Sequence, residues 1–139
     1  MKILGFNFTK ISAEKYKDAA IKDLKIENSI DISDISEVKQ DVLKADDEFL
    51  AIKFKYTVTY NPEVAKIELL GNILASVDSK MAKEVVKKWK AKETPEEFRI
   101  PLFNTIFRKS GIKALGLEDE MNLPFHIQMP SLRRKEADD

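Results

Sequence analysis

Few residues in this chain have the types and spacing that catalysis requires. Acidic side chains cluster at Asp46–Asp47 and at Glu118–Glu120, and paired carboxylates can perform acid–base work or hold a metal ion. The first cluster falls where a loop enters a strand, and the second falls near the end of a helix. Neither has the spacing of a calcium-binding loop. We therefore interpret both clusters as solvated charge.

His126 is the only histidine, and it lies between two prolines in the segment LPFHIQMP. An imidazole can act as a general base, but no nearby Ser, Asp or Glu has the sequence spacing of a catalytic dyad or triad. A packed or surface histidine is the favoured interpretation. The absence of cysteine excludes disulfides, a thiol nucleophile and Cys-ligated metal sites. We expect no enzymatic activity, no cofactor and no metal.

Nucleic acid and membranes are not expected partners. The 24 Lys and Arg balance the 24 Asp and Glu, so the net charge provides no field that attracts polyanions. Lys53, Lys55 and Lys66 share one face of the predicted sheet, whereas Tyr56 and Tyr60 fall on the opposite face. Because the aromatic rings and the charges are not interleaved, a solvated lysine face is favoured over an RNA-binding platform. The four glycines form no phosphate-binding motif.

One apolar stripe stands out at helical spacing. It consists of five large side chains within ten positions: Phe98, Leu102, Phe103, Ile106 and Phe107. A helix packed on a sheet accounts for part of this stripe. The remainder indicates a second apolar contact, either between subunits or with a client protein. The sequence leaves these two interpretations open.

The elements that would position these residues begin with four strands. FLAIKFKYTVTY (49–60) alternates between apolar and polar residues and predicts a long half-buried strand. Similar alternation predicts strands over 3–11, 24–33 and 64–76, with a loop or short helical crossover capped by Ser12 and a polar connection over 33–48. Pro62 predicts a turn between the last two strands. Gly71 suggests a bulge or the close approach of another backbone.

The period then changes to that of helices. Asp78 or Ser79 can cap the first helix, which carries Met81, Val85, Val86 and Trp89 on one side. TPEE, with Thr94 as the cap, predicts the start of a second helix, which Gly111 or Gly116 weakens or ends. Strands followed by helices predict an α+β fold, a four-stranded antiparallel sheet with helices packed on one face.

Further expectations concern organisation and location. We expect one domain over 1–132 and a charged, flexible tail over 133–139. The N-terminus lacks the pattern of a signal peptide, and no apolar run approaches the roughly 20 residues that span a bilayer. The predicted location is the cytoplasm.

The order of these segments resembles the SecB-like export chaperone family. FTKISAE (8–14) resembles the end of the family's first strand, LKIENSIDIS (24–33) its second strand, and DEFLAIKFKYTVTY followed by AKIELLGNILAS its central hairpin. RIPLFNTIFRKSGIKALGLEDEMNLPFHI (99–127) resembles its main helix and the stretch that follows. The chain departs from the family in being neutral rather than acidic, and in having only SLRRKEADD after Pro130, where the family has a further helix.

The resemblance implies a chaperone that holds unfolded polypeptides in apolar grooves, without ATP, as a homodimer or homotetramer. The residues that it implies for the groove or the subunit interface are Phe98, Leu102, Phe103, Ile106 and Phe107, with Tyr16, Ile30 and Ile32 nearby. The alternative is a homo-oligomeric structural or adaptor protein that uses the whole apolar stripe in its own interface and binds no client.

Overall fold

Four strands precede two helices in the computed structural model, which describes residues 1–18, 23–39, 47–132 and Arg134. The elements are β1 (Lys2–Lys15), β2 (Lys25–Val38), β3 (Glu48–Asn61), β4 (Ala65–Val77), α1 (Ser79–Trp89) and α2 (Glu96–Glu120). The α+β prediction is confirmed. Neither described helix is both long and apolar enough to cross a membrane. Of the tail predicted over 133–139, only Arg134 lies within the described residues.

The strands form one sheet in the order β1-β4-β3-β2, and every neighbouring pair is antiparallel. β3 and β4 form the predicted hairpin, with Tyr60 opposite Ala65. The backbone N–H of Val64 donates to the carbonyl oxygen of Tyr60 at 2.8 Å and closes the turn. β1 and β2 are therefore the two edges of the sheet.

The core lies on the inner face of the central hairpin. Ten apolar residues there are at most 1% exposed: Leu50, Ile52, Phe54, Tyr56, Val58, Tyr60, Ile67, Leu69, Ile73 and Ala75. Both helices pack on this face, through Ala82 and Val85 of α1 and through Phe98, Leu102, Ile106 and Ala114 of α2. The prediction of helices on one face of the sheet is confirmed.

β1 is longer than predicted. It continues to Lys15, so Ser12 pairs with Glu68 of β4 and does not cap a helix. Register shifts between Ile3 and Gly5 and between Phe8 and Lys10 interrupt the two-residue alternation. Because each bulge adds one residue to the strand, a regular alternation could not be followed past residue 11.

β2 also extends beyond its predicted end, and residues 34–38 of the predicted polar connection belong to it. A register shift between Ile32 and Asp34 brings Ile35 to the core face, opposite Ile52. The bulge reverses the phase of the alternation, which made this part of the strand look like a polar loop. Val42 and Leu43 of the same connection lie outside the described residues.

The helix boundaries depend on local caps. Asp78 caps α1, because its side chain accepts a hydrogen bond from the backbone N–H of Met81 at 2.7 Å. Thr94 was wrongly predicted as the cap of α2, which begins after Pro95 without a side-chain cap bond.

α2 continues through Gly111 and Gly116, so neither glycine ends it. It ends where Asn122 adopts the left-handed conformation (φ 54°) and the Leu123 N–H donates to the Glu118 carbonyl at 2.8 Å. Packing on the sheet outweighs the roughly 1 kcal/mol by which each glycine disfavours a helix.

Candidate functional site

The eight predicted site residues do not form one cluster. Phe98, Leu102 and Ile106 are fully buried between α2 and the sheet. They lie on the row of buried residues that repeats every four positions along α2 from Phe98 to Glu118. The structure therefore places these three in the core of the chain, and a surface role falls to the remaining five.

Three of the remaining residues meet in a groove of about 590 Å³ beside the edge strand β2. Its apolar lining comes from Ile30 and Ile32 of β2, Trp89 at the end of α1 and Phe103 of α2. We call this the β2 groove. The groove therefore brings together Ile30 and Ile32, the two β2 residues predicted from the sequence, and Phe103, one of the five residues of the predicted apolar stripe.

Charged side chains border the β2 groove in equal numbers of each sign: Asp31, Glu93, Lys92 and Arg99. Lys92 Nζ lies 4.6 Å from the centre of the Trp89 ring, and an Arg99 guanidinium N–H donates to the Thr94 carbonyl oxygen at 3.4 Å. Within the described part of the chain, none of the four forms a salt bridge. The rim is polar without a net charge.

Phe107 continues the apolar surface one helical turn beyond Phe103. Its side chain is 43% exposed, and its ring lies edge-on to Tyr56 with 6.4 Å between the centroids. Phe103, Phe107 and Gly111 form a row parallel to the buried row of α2 and one residue further along the chain. The row runs alongside β2, because Phe107 contacts Tyr56 and Tyr56 pairs with Ile30 of β2.

Tyr16 is not part of this site. It follows β1, at the opposite edge of the sheet from β2, and its backbone N–H donates to the Val64 carbonyl oxygen at 2.7 Å. Its side chain is exposed. The structure does not bring Tyr16 together with Ile30 and Ile32.

Sequence reasoning did not identify the contributions of Trp89, Lys92 and Arg99 to this groove. Trp89 was predicted only as part of the apolar side of α1. Lys92 adopts the left-handed conformation (φ 60°), and the Glu93 N–H donates to the Lys88 carbonyl at 3.1 Å. This turn brings the end of α1 beside the start of α2. A lone Trp directly before a polar helix–helix connection was the available signal.

A buried polar network lies at the far end of the Phe103–Gly111 row. The Glu118 carboxylate is fully buried, which corrects its interpretation as solvated charge. Its oxygens lie 2.9 and 3.0 Å from His126 Nδ1, and its Oε1 accepts from the His126 backbone N–H at 3.3 Å. The Tyr60 hydroxyl contacts Glu118 Oε2 and lies 2.7 Å from the carbonyl oxygen of Pro124.

The other side of the His126 ring faces β3. Its Nε2 lies 3.0 Å from the Tyr56 hydroxyl oxygen, which accepts from the Asn28 side-chain amide at 3.4 Å. Because Asn28 donates to Tyr56, the hydroxyl hydrogen of Tyr56 can be donated to Nε2, and Nδ1–H is then donated to Glu118. The His126 side chain is only 2% exposed, and both ring nitrogens have protein partners. Of the packed and surface positions that the sequence left open for His126, the structure has the packed one.

Burial changes the acidity of both tyrosines. It is the largest cause of the raised pKa of Tyr60, and the hydrogen bond to Glu118 adds to it. Burial likewise raises the pKa of Tyr56, against a smaller lowering by the bond from Asn28. Both hydroxyls therefore stay protonated at neutral pH and remain hydrogen-bond donors.

A second apolar surface lies on the β1 side of the molecule. Leu4 and Ile11 of β1 are both more than 40% exposed. Phe6 and Phe8 of β1 are only partly buried against the core. We call this surface the β1 face.

The outer face of the sheet is charged. Lys10, Lys55 and Lys66 lie within 3.1, 3.6 and 3.3 Å of the Glu68 carboxylate, and the bond from Lys10 is the largest cause of the lowered pKa of Glu68. Tyr56 and Tyr60 are fully buried on the other face and cannot stack on bases. Across the described ranges, no three or more His, Cys, Asp or Glu side chains converge to hold a metal ion.

A solved structure has a similar architecture. A Mycobacterium tuberculosis protein, the Rv1957 SecB-like chaperone solved in complex with a ChAD peptide from the Rv1956 HigA1 antitoxin, superposes with a TM-score of 0.53. The alignment covers 96% of this chain and 91% of that chain, at 10% sequence identity. The fold is SecB-like.

The comparisons with families and with curated proteins give no further assignment. No family model matches the sequence. No curated protein matches it either. At 10% identity, the likeness to the mycobacterial chaperone concerns the SecB-like fold alone, so any function rests on the surfaces described above.

Proposed function

We propose that this protein is an ATP-independent holdase that binds extended apolar segments of unfolded polypeptides in the β2 groove. The observation that carries this proposal is the apolar surface of Ile30, Ile32, Trp89 and Phe103 beside an edge strand. The solved SecB-like neighbour, which holds a peptide, is consistent with it. The proposed role needs no catalysis and no cofactor, and its proposed location is the cytoplasm.

The energetics of such a site favour weak, adaptable binding. Burying one large apolar side chain of a client contributes roughly 1.5–3 kcal/mol. Backbone hydrogen bonds of an extended client to β2 would add affinity that does not depend on the client's sequence. The rim carries two charges of each sign, so it selects neither acidic nor basic clients.

Replacing Phe103 with Ser tests the groove. Loss of one aromatic contact predicts a Kd for an unfolded client peptide that is roughly 10- to 100-fold higher, with unchanged fold and oligomer size. The measurements are fluorescence anisotropy with a labelled apolar peptide, and suppression of the aggregation of a chemically unfolded model protein without ATP. Equal binding by the wild type and Phe103→Ser would contradict the proposed site.

Ile112→Ser is the matched control, because Ile112 lies on the same helix, is 66% exposed and does not line the β2 groove. The control should therefore leave peptide binding by the β2 groove intact. We propose that the β1 face joins copies of the chain into a homodimer or homotetramer, which light scattering measures as molar mass.

The second candidate is a homo-oligomeric structural or adaptor protein, which the exposed apolar residues of the β1 face favour. Under that reading the wild type forms a stable oligomer but neither binds the peptide nor suppresses aggregation. Phe103→Ser would then either change the oligomer size or have no measurable effect. In that case the holdase proposal would be withdrawn.

A further inference from the structure

The segment after α2 has few attachments to the rest of the molecule. Among the described residues, no backbone–backbone hydrogen bond joins 124–132 to a strand or helix. The polar bonds that hold it run from the Pro124 carbonyl to Tyr60, from the His126 backbone to Glu118, and from the His126 ring to Glu118 and Tyr56. Phe125, Ile127 and Met129 are exposed.

The His126 ring fills a defined gap. On α2 the row Phe103–Phe107 ends at Gly111, and a Cβ placed on Gly111 would meet His126 Nε2 at 3.8 Å. On the sheet side, the ring contacts the Tyr56 hydroxyl, which is itself bonded to Asn28 of β2. The ring therefore lies between α2 and the sheet where the β2 groove would otherwise continue.

We propose that residues 124–130 form a strap that closes one end of the β2 groove and opens as a unit, with Glu118, His126, Tyr56 and Tyr60 as its latch. The attachment depends on a few side chains, so opening the strap breaks the latch and leaves the hydrogen bonds of the sheet and helices intact. Withdrawal of the ring exposes the buried Tyr56 and Gly111 beside the already exposed Asn28 and lengthens the groove past Phe107. The opening is independent of the proposed holdase function, and only the use of the longer groove rests on it.

The chain has no cysteine, so single thiols can report where it opens. Gly111→Cys places a thiol beneath the strap. Gly116→Cys, on the same helix with nothing within 4 Å of its Cβ, gives the rate of a free thiol. Ala82→Cys, in the core and 1% exposed, reports global unfolding. Each variant is made in the full chain, and its reaction with a thiol reagent is followed under native conditions.

The expected result is that Gly111→Cys reacts at least about tenfold more slowly than Gly116→Cys and at least about tenfold faster than Ala82→Cys. Adding Tyr56→Phe removes the hydroxyl that bonds to the ring and keeps the aromatic packing. It should speed the reaction at Gly111→Cys several-fold, and that reaction should remain at least about tenfold faster than the reaction at Ala82→Cys. The strap is overturned if the Gly111 and Ala82 thiols react at the same rate, or if Tyr56→Phe leaves the rate at Gly111→Cys unchanged.

Peptide binding tests the groove extension separately. Tyr56→Phe should tighten the binding of a peptide of about twelve residues, because the open state is more populated, and leave a peptide of about five residues unaffected. An equal effect on both lengths would contradict the extension. If the wild type binds neither peptide, the holdase proposal fails and the thiol reactions alone decide whether the strap exists.

Discussion

Tyr56 and Tyr60 place two hydroxyl groups inside an otherwise apolar core. Both side chains are fully buried, and each hydroxyl has at least one hydrogen-bond partner outside β3. A buried polar group without a partner would destabilise the fold by about 1–3 kcal/mol. These two residues therefore connect the sheet to α2 and to the segment after it.

Tyr60 gives a pH-dependent prediction. Its pKa is raised above the ordinary value of 10.0, so the folded state binds this proton more tightly than the unfolded state. The stabilisation is complete below about pH 10 and is lost as the pH rises further. We expect Tyr60→Phe to be about 1–3 kcal/mol less stable at pH 7, because Glu118 and Pro124 lose a donor.

The free energy of unfolding in urea, measured at several pH values, checks this expectation. The difference between wild type and Tyr60→Phe should narrow above about pH 10. A difference that stays constant with pH would show that the hydroxyl proton does not contribute as described.

At the residue scale, the sequence left His126 as either a packed or a surface histidine, and the interpretation of Glu118 was wrong. The His126 ring is buried. Glu118 was assigned to solvent because it belongs to an acidic cluster at a helix end. Glu118 nevertheless lies on the buried row of α2. This row repeats every four residues, and because the helix has 3.6 residues per turn, the row winds gradually around it. Its partners Tyr60 and His126 are distant in sequence or outside the helix, so no local pattern revealed them.

At the scale of elements, Gly71 has a definite packing reason. A Cβ at this position would lie 2.5 Å from the Phe54 ring and 2.7 Å from the carbonyl oxygen of Asn7. The close approach predicted from the sequence is confirmed, and the backbone concerned is that of β1. The predicted bulge also lies here, because the register shift between Phe8 and Lys10 falls opposite Gly71, with the extra residue in β1.

Gly71→Ala should therefore destabilise the protein by about 1–3 kcal/mol, because the added methyl forces Phe54 or the β1 backbone to move. Gly116→Ala is the matched control, since it adds a methyl to an exposed helical position with nothing within 4 Å. The control should gain up to about 1 kcal/mol. Urea unfolding compares the two variants, and equal effects would contradict the packing argument.

Element boundaries were predictable only where the period was regular. β3 alternates without interruption, and its inner residues were identified correctly from Leu50 to Tyr60. β1 and β2 contain bulges, and beyond each bulge the apolar residues change phase. The end of β2 was therefore taken for a polar loop, although Ile35 is buried in it.

At the scale of the whole molecule, the two apolar surfaces lie at opposite edges of one sheet. This separation would let the proposed assembly through the β1 face and the proposed client binding in the β2 groove occur together. From the sequence, the apolar stripe of α2 was compatible both with a contact between subunits and with a contact to a client protein. Spacing alone cannot tell which row of a helix meets the sheet. The structure divides it into a buried row and the row of Phe103 and Phe107.

Charge balance gives a prediction at this scale. The chain has equal numbers of acidic and basic residues, and the groove rim carries two of each sign. Peptide affinity should change less than about twofold between about 50 and 300 mM salt, because little net charge is screened. Titrations at both salt concentrations check this expectation. A tenfold loss of affinity at high salt would mean that ion pairs, and not apolar contacts, dominate binding.

The bulge between Ile32 and Asp34 has a consequence for how long a guest chain stays bound. A continuous hydrogen-bonded ladder along β2 can run only from Lys25 to Ile32 before the strand changes phase. An arriving strand is therefore limited to a short pairing, and Asp31 and Asp34 place charges beside its far end. The bulge thus acts against runaway strand addition, which would let the proposed holdase release an unfolded chain after binding it.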